Sequence, residues 1–374
     1  VTSALPESVE AIFSGRTKAI GAKFGVIQVR WAPECPFSYP ADMVDTEVAT
    51  FRSDGAYTDN RRPDEVKFSS SLEEDVRRRD FTMNGIAASP YDPVIDLVGG
   101  LQDIAGRLIR CIGIPEERFK EDALRMLRAI RFATQLDFRI DPATWQALCS
   151  QADLVANISN ERVRDELIKM LVGPDPSRAL FLMNQSGLLH VLFPSGITNE
   201  FHVTLLRLQW GQCNSANYLT MLTILTGSMM ISDVSKFLTS LKLPADEEKQ
   251  IRNARTMARH LIDGSEFTRA ERIYYLRTPG FLVALAYASA CVAIDGDPAD
   301  MAAWEQNTKS VFLQLNTSEI RNQRPLITGD DLIARGIQPS PTFKLILSEL
   351  ETQQLNEEFT TREEALLRLD RFQV

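Results

Sequence analysis

Histidine and cysteine are scarce in this chain, three and five among 374 residues. The cysteines (Cys35, Cys111, Cys149, Cys213 and Cys291) are odd in number and never form a CxxC pair, which argues against a thiolate metal site and fits a reducing compartment. His190, His202 and His260 have no metal-ligand spacing and read as surface or packing residues. A surplus of positive charge is also missing. The formal net charge is −9, so a polyanionic partner has to meet a local basic patch, because only nearby charges survive salt screening. Long apolar runs are absent too. The longest, "FLVALAYASACVAI" (281–294), is too short to cross a bilayer and reads as a buried helix. The acidic start "VTSALPESVE" does not read as a signal peptide, and the expected compartment is the cytosol. There is no repeat of fixed period and no low-complexity segment.

A hydrophobic content of 44% and a charged content of 24% are ordinary for a globular protein. At about 150 residues per domain the length suggests two or three domains. The first hundred residues carry short β-branched segments, "GVIQVRW" (25–31) and "DTEVATF" (45–51), which read as strands. Between them "APECPFSYPAD" has three prolines and reads as a loop. "SDGAYTDNRRPDE" (53–65) is polar, with Gly55 and Pro63, and reads as a second loop. "VIDLVGG" (94–100) reads as a strand and turn. From Pro115 the pattern becomes helical: proline followed by Glu116 and Glu117 marks a helix start, and Leu124, Leu127, Ile130 and Phe132 continue it as one helix. Further helices are expected over 159–172, 176–190, 200–210, 216–240, 245–262 and 281–294. The expected architecture is a small α/β head on a mostly helical remainder.

Three constellations carry chemistry. "LEEDVRRRDFTMNGIA" (72–87) sets an acidic cluster before Arg77, Arg78, Arg79 and Asp80. Taken alone it reads first as a solvated charge run; the functional alternative is a clamp in which Asp80 accepts from ribose hydroxyls and arginines fork onto phosphate oxygens. Glu47 interrupts an apolar strand, where an unpaired buried carboxylate would be costly; it is either a solvated strand-edge group or a carboxylate supporting a hard divalent cation. "EDALRMLRAIRFA" (121–133) places Asp122, Arg125, Arg128 and Arg131 at steps of three. As helical neighbours, Asp122 and Arg125 make either a surface ion pair or a base-reading pair. The carboxylate would accept from an exocyclic amine while the guanidinium donates to a ring nitrogen. Cytosine and adenine offer that edge, whereas uracil and guanine offer the reverse. Arg128 and Arg131, further along, are then candidates for a triphosphate.

Taken together, "TSALPE", "EVATFRSDGAYTDNRRPDEVKF", "SLEEDVRRRDFTMNGIA", "DLVGG", "RFKEDALRMLRAIRFA" and "ISNERVRDELIKML" resemble, in order, the class II tRNA nucleotidyltransferase and bacterial poly(A) polymerase family. The likeness is dense over the first 190 residues and returns at "LITGDDLIARGIQPSPTFKLIL" and "TTREEALLRL". The resemblance implies a polymerase β-like nucleotidyltransferase head over 1–112, a helical neck for base recognition over 113–195, a helical body over 196–320 and an RNA-binding helical tail over 321–374. It implies Glu47 as a carboxylate beside a metal site, and Arg79, Asp80, Asp122, Arg125, Arg128 and Arg131 as nucleotide-binding residues. The stretch 53–65, with Asp54, Arg61 and Arg62, resembles the flexible loop needed to add A after CC. The implied reaction adds CCA or the terminal A to tRNA from CTP and ATP with Mg²⁺; a poly(A) polymerase and a non-catalytic RNA- or nucleotide-binding relative are the alternatives. The family's "GG..RD" and "DxD" segments would precede "TSALPE". With the sequence beginning at Val1, the expectation is an N-terminally truncated head whose metal site is incomplete and which is inactive as it stands.

Overall fold

The computed structural model describes all residues except 22–24, 31–44, 55–65, 90–93, 194–199, 215–216, 264–265 and 373–374. The proline-rich loop and most of the second polar loop, with Arg61 and Arg62, therefore lie outside the described residues. The chain separates into two compact units, Val1–Pro194 and Ser195–Val374.

The first unit opens with helix α1 (Pro6–Ile12) and a three-stranded antiparallel sheet of β1 (Thr17–Gly21), β2 (Val26–Arg30) and β3 (Asp45–Ala49), in the order β1-β2-β3. Strand β2 alternates as its β-branched sequence dictates: Ile27 and Val29 turn inward and pack with Val9 of α1. A hairpin of β4 (Arg52–Asp54) and β5 (Val66–Phe68) follows, then helix α2 (Leu72–Arg77), capped by Ser71, which accepts from the Glu74 N–H.

A 3₁₀ turn (Thr82–Asn84) leads into the two-residue strands β6 (Ile86–Ala87) and β7 (Ile95–Asp96). The strand expected over 94–100 is thus short, because Asp96 turns its carboxylate to helix capping. It accepts from the N–H groups of Val98, Gly100 and Leu101 at 3.2, 2.9 and 2.9 Å and starts α3 (Gly100–Ala105). Strand β8 (Leu108–Ile109) pairs in parallel with β9 (Arg139–Ile140).

Between those strands the single helix expected from Pro115 is two: α4 (Pro115–Glu121) and α5 (Leu124–Gln135). Asp122 breaks it. Its backbone is extended (φ −146°, ψ 100°), and its Oδ1 accepts from the Leu124 N–H at 3.1 Å, replacing a helical bond with a side-chain one. Helix α5 is the central pillar of this unit. Met126, Leu127 and Ile130 are fully buried, each contributing about 1.5–3 kcal/mol of apolar burial. Helix α6 (Pro142–Ser150) packs on α4, while a 3₁₀ turn (Ala152–Asn157), α7 (Asn160–Leu171) and α8 (Pro176–Gln185) pack against α5, and α9 (Leu188–Leu192) packs on α8 and that 3₁₀ turn.

The second unit is helical throughout its described residues: α10 (Phe201–Asn214), α11 (Tyr218–Leu225), α12 (Ile231–Ser240), α13 (Ala245–Ile262), α14 (Arg269–Arg277) and α15 (Phe281–Asp295). Helix α15 is apolar on all sides because it is the core, packed along α13 and against α10 and α11. Gly280 permits the close approach at its start: with φ +92° it sits where an added Cβ would lie 2.3 Å from the Gln250 carbonyl. No single helix among the described residues is long and apolar enough to cross a membrane. After α16 (Pro298–Trp304), a π-helical turn (Glu305–Lys309), α17 (Ser310–Gln314) and α18 (Ser318–Asn322), three helices close the chain: α19 (Gly329–Ala334), α20 (Pro341–Leu355) and α21 (Arg362–Leu369). Leu332, Ile346, Leu350, Phe359 and Leu369 form their core.

Candidate nucleotide-binding site

A cavity of 490 Å³ opens in the first unit where the end of α2, the 3₁₀ turn after it, the α4–α5 break and the start of α7 meet. Arg78, Arg79, Arg125, Arg128 and Arg162 line it against Asp80 and Asp122, a local surplus of three positive charges in an acidic chain. Asn84, Leu124 and Phe132 complete the wall.

The arginine run is organised by a carboxylate that sequence reading passed over. Asp75, its side chain fully buried, holds Arg78 through Oδ1 at 2.5 Å and Arg79 through Oδ2 at 2.9 Å. Spacings of three and four on α2 encode both pairs. Burial pushes the Asp75 carboxyl up, but the two guanidiniums outweigh it and hold the group below the usual carboxylate range. Arg79 also donates to the Asn84 carbonyl at 3.0 Å.

Asp80 is buried (8% exposed) and heavily bonded. Oδ1 accepts from the Phe81 N–H and from Asn84 Nδ2, both at 2.9 Å. Oδ2 accepts from Arg128 Nε at 2.8 Å and lies 2.7 Å from its Nη2. Burial again pushes the carboxyl up, and Arg128, Asn84 and the Phe81 amide more than offset it, so Asp80 stays ionised below the usual range.

Asp122 and Arg125 both line the cavity, and the Arg125 N–H donates to the Asp122 carbonyl at 3.0 Å. Across the helix break, each side chain holds a further partner. Asp122 takes a fork from Arg162, Nη1 to Oδ1 at 3.1 Å and Nη2 to Oδ2 at 2.7 Å. Arg125 donates to Glu121 Oε2 at 2.6 Å and to the carbonyls of Arg118 and Arg78 at 3.0 and 2.8 Å, tying α4, α5 and the end of α2 together. Arg131 stands outside the cavity lining: its Nε donates to Glu166 Oε2 at 2.6 Å, and its guanidinium stacks on Phe132 at 4.0 Å. Glu121 could have been read from its spacing of four to Arg125, and Arg162 from the quoted "ISNERVRDELIKML". Asn84 and Phe132 gave no local signal.

Glu47 is exposed on β3 opposite Gln28 and does not line the cavity. Asp54 ends β4, where its side chain is outside the described residues. Among the described residues, no group of three or more His, Cys, Asp or Glu could hold a metal ion. The thiol of Cys111, pushed up to about 12 by burial, is a packing group.

The first unit is thus an α/β head with an arginine-lined cavity against a helical pillar, and three family patterns match successive segments of the chain. Residues 1–110 match "Poly A polymerase head domain", 137–197 match "Probable RNA and SrmB- binding site of polymerase A", and 213–369 match "tRNA nucleotidyltransferase domain 2 putative". The CCA-adding enzyme of Levilactobacillus brevis is 35% identical over 98% of this chain and 86% of its own length. That of Bacillus subtilis is 33% identical over 94% of this chain and 82% of its own. The crystal structure of the Bacillus stearothermophilus CCA-adding enzyme in complex with CTP superposes with a TM-score of 0.78 at 31% identity, covering 99% of this chain and 87% of that one. The chain belongs to the class II CCA-adding enzyme family of nucleotidyltransferases.

Proposed function

We propose that this chain is a tRNA 3′-end nucleotidyltransferase that adds CCA or the terminal A, taking CTP and ATP as substrates. The observation that carries this is the cavity itself: five arginines gathered around two aspartates in a chain of net charge −9. A triphosphate suits that surplus, with Arg79 and Arg128 as forked donors to its oxygens. Asp80 suits ribose hydroxyls, which have to displace donors it already holds. Asp122 accepts from the exocyclic amine of cytosine or adenine and Arg125 donates to the adjacent ring nitrogen, in competition with its present acceptors. Discrimination by such a bidentate contact is about 1–3 kcal/mol. Arg131 keeps only an indirect part, holding α5 to α7.

In the reaction, the oxygen of the RNA 3′-hydroxyl bonds to the α-phosphorus, the bond from that phosphorus to the bridging oxygen breaks, the hydroxyl proton is lost and pyrophosphate leaves. The related CTP complex supports the substrate class. Mg²⁺ is implied by the resemblance, but the described residues do not fit it: Glu47 is exposed and no carboxylate cluster surrounds it. Glu47 therefore has only a supporting part. Residues 1–112 act as head, 113–195 as the neck that reads the base, 196–320 as body and 321–374 as an RNA-binding tail. The stretch 53–65 serves the switch to A.

The test is incorporation of labelled CTP and ATP into tRNA ending before CCA, with an unstructured RNA in parallel. Both are run with this chain and with one extended by an N-terminal segment bearing two aspartates. A short terminating product on tRNA, in either protein, supports the reading. A long homopolymer on the unstructured RNA supports a poly(A) polymerase instead, and nucleotide binding without incorporation in both proteins supports a binding protein.

A further inference from the structure

Arg162 adds to the positive charge of the cavity but has been given no individual role, yet it bonds both oxygens of a carboxylate there. It reaches 40 residues back along the chain to bond both oxygens of Asp122. Its position on α7 is locally unfavourable, because a cation in the first turn of a helix opposes the positive end of the dipole. The carboxylate across the cavity compensates that cost, and the arginine contributes its planar fork in return.

The acceptor count on Asp122 shows what the fork does. A carboxylate offers about four lone-pair positions. Oδ1 accepts from the Leu124 N–H and from Arg162 Nη1, and Oδ2 accepts from Arg162 Nη2. Among the described residues one position remains, on Oδ2. We infer that Arg162 is a specificity-determining positioning residue: by fixing the plane of the Asp122 carboxylate, it presents a single acceptor to the exocyclic amine of the incoming base.

A base with a carbonyl at that place, as in uracil or guanine, meets the lone pair of an anion and is repelled. Without the fork, Asp122 keeps its Leu124 contact alone among the described residues and rotates, so it accepts from differently placed donors. The arginine thus acts through Asp122 and does not touch the base. This inference rests on the reading of Asp122 as a base contact, and the experiment separates the two.

The measurement is calorimetric titration of CTP, ATP, UTP and GTP at fixed ionic strength, with thermal melts of each protein. The proteins are the parent, D122A, R162A, R162K and the D122A/R162A double variant. The parent should prefer CTP and ATP. R162A should reduce that preference about tenfold, R162K should keep only part of it because an ammonium cannot fork, and the double variant should discriminate no worse than D122A. If R162A fails to fold, R162K decides. If D122A erases the preference while the Arg162 variants keep it in full, the inference is overturned and the base-reading assignment stands. An equal loss of affinity for all four nucleotides, with preference intact, makes Arg162 structural and also overturns it. If the parent itself shows no preference, the Asp122 assignment fails and the inference goes with it.

Discussion

Arg128 lays two of its donors against one oxygen of Asp80, Nε at 2.8 Å and Nη2 at 2.7 Å, across 48 residues of sequence. The other oxygen is filled by the Phe81 amide and Asn84. Three hydrogen bonds hold this carboxylate, and the second guanidinium nitrogen of Arg128 crowds the remaining one of its roughly four acceptor positions. On the proposed reading, a nucleotide enters by exchange. Ribose hydroxyls replace Arg128 on Asp80, and the released guanidinium turns to the phosphates.

That exchange makes Arg128 a shared contact, blind to the base. R128A is expected to raise the dissociation constants of CTP and ATP alike, by about tenfold or more, the scale of a lost hydrogen bond to a charged group. Titrations of both nucleotides check it. A loss confined to one of them would argue against a phosphate role.

The same pair sets a pH dependence. Burial raises the Asp80 carboxyl, but Arg128, Asn84 and the Phe81 amide win, leaving it titrating below its unfolded value. A depressed carboxylate stabilises the fold fully above the unfolded value of about 4 and loses that contribution as pH falls through the lower folded one. Asp75 has the same sign, by its bonds to Arg79 and Arg78. Stability should therefore fall below about pH 4, and D80N should fall less steeply over the same window. Urea midpoints between about pH 2.5 and 6 decide the matter; equal slopes in the two proteins would show that Asp80 is not the group responsible.

Arg131 separates the geometry from what the resemblance implies. It holds Glu166, whose side chain is 4% exposed, while Lys169 pairs with the other carboxylate oxygen at 3.2 Å. Removing one member of a buried pair costs about 3–5 kcal/mol, less here because Lys169 remains. R131A should lower the melting temperature while leaving CTP and ATP dissociation constants within about twofold in the folded protein. A tenfold loss of affinity with unchanged melting would restore the direct nucleotide contact.

What could be read from the sequence divides by the range of the signal. Helix α13 (Ala245–Ile262) matches the range expected for it, and α15 (Phe281–Asp295) extends that range by one residue, because long apolar periodicity and an unbroken apolar run are local and strong. The single helix expected from Pro115 became two, because a break at Asp122 spans so few residues that the apolar spacing around it still looks periodic. The 216–240 helix likewise became α11 and α12, parted at Thr226–Met230. Helix α14 was missed although Thr268 and Glu271 form a capping box, its charged residues masking the apolar ones. Side-chain pairing follows the same rule. Asp75 with Arg78 and Arg79, and Glu121 with Arg125, are written in spacings of three and four. Asp80 with Arg128 and Asp122 with Arg162 depend on how distant segments meet, so no local spacing announces them.

Gly100 tests whether the cavity depends on the turn beneath it. The residue begins α3, and a Cβ there would lie 2.3 Å from the Thr82 carbonyl oxygen and 2.9 Å from Ile86 Cγ1. The first obstacle is backbone, so it cannot swing aside like a flexible side chain. Thr82 is tied on both sides: its N–H donates to the Arg110 carbonyl, and its own carbonyl accepts from Gly85. Relief has to come from moving the 3₁₀ turn Thr82–Asn84, which supplies the Asn84 amide to Asp80 and the Asn84 carbonyl to Arg79. G100A should therefore cost about 1–3 kcal/mol of stability, the usual range for overpacking, and weaken CTP and ATP binding together. G106A, at the other end of the same helix, places its Cβ no nearer than 3.3 Å to the Gln102 carbonyl and should change neither by much. Denaturation midpoints with paired nucleotide titrations read both effects. If G100A loses stability with unchanged affinity, the 3₁₀ turn adapts without disturbing Asp80, and the rigidity assigned to it here is wrong.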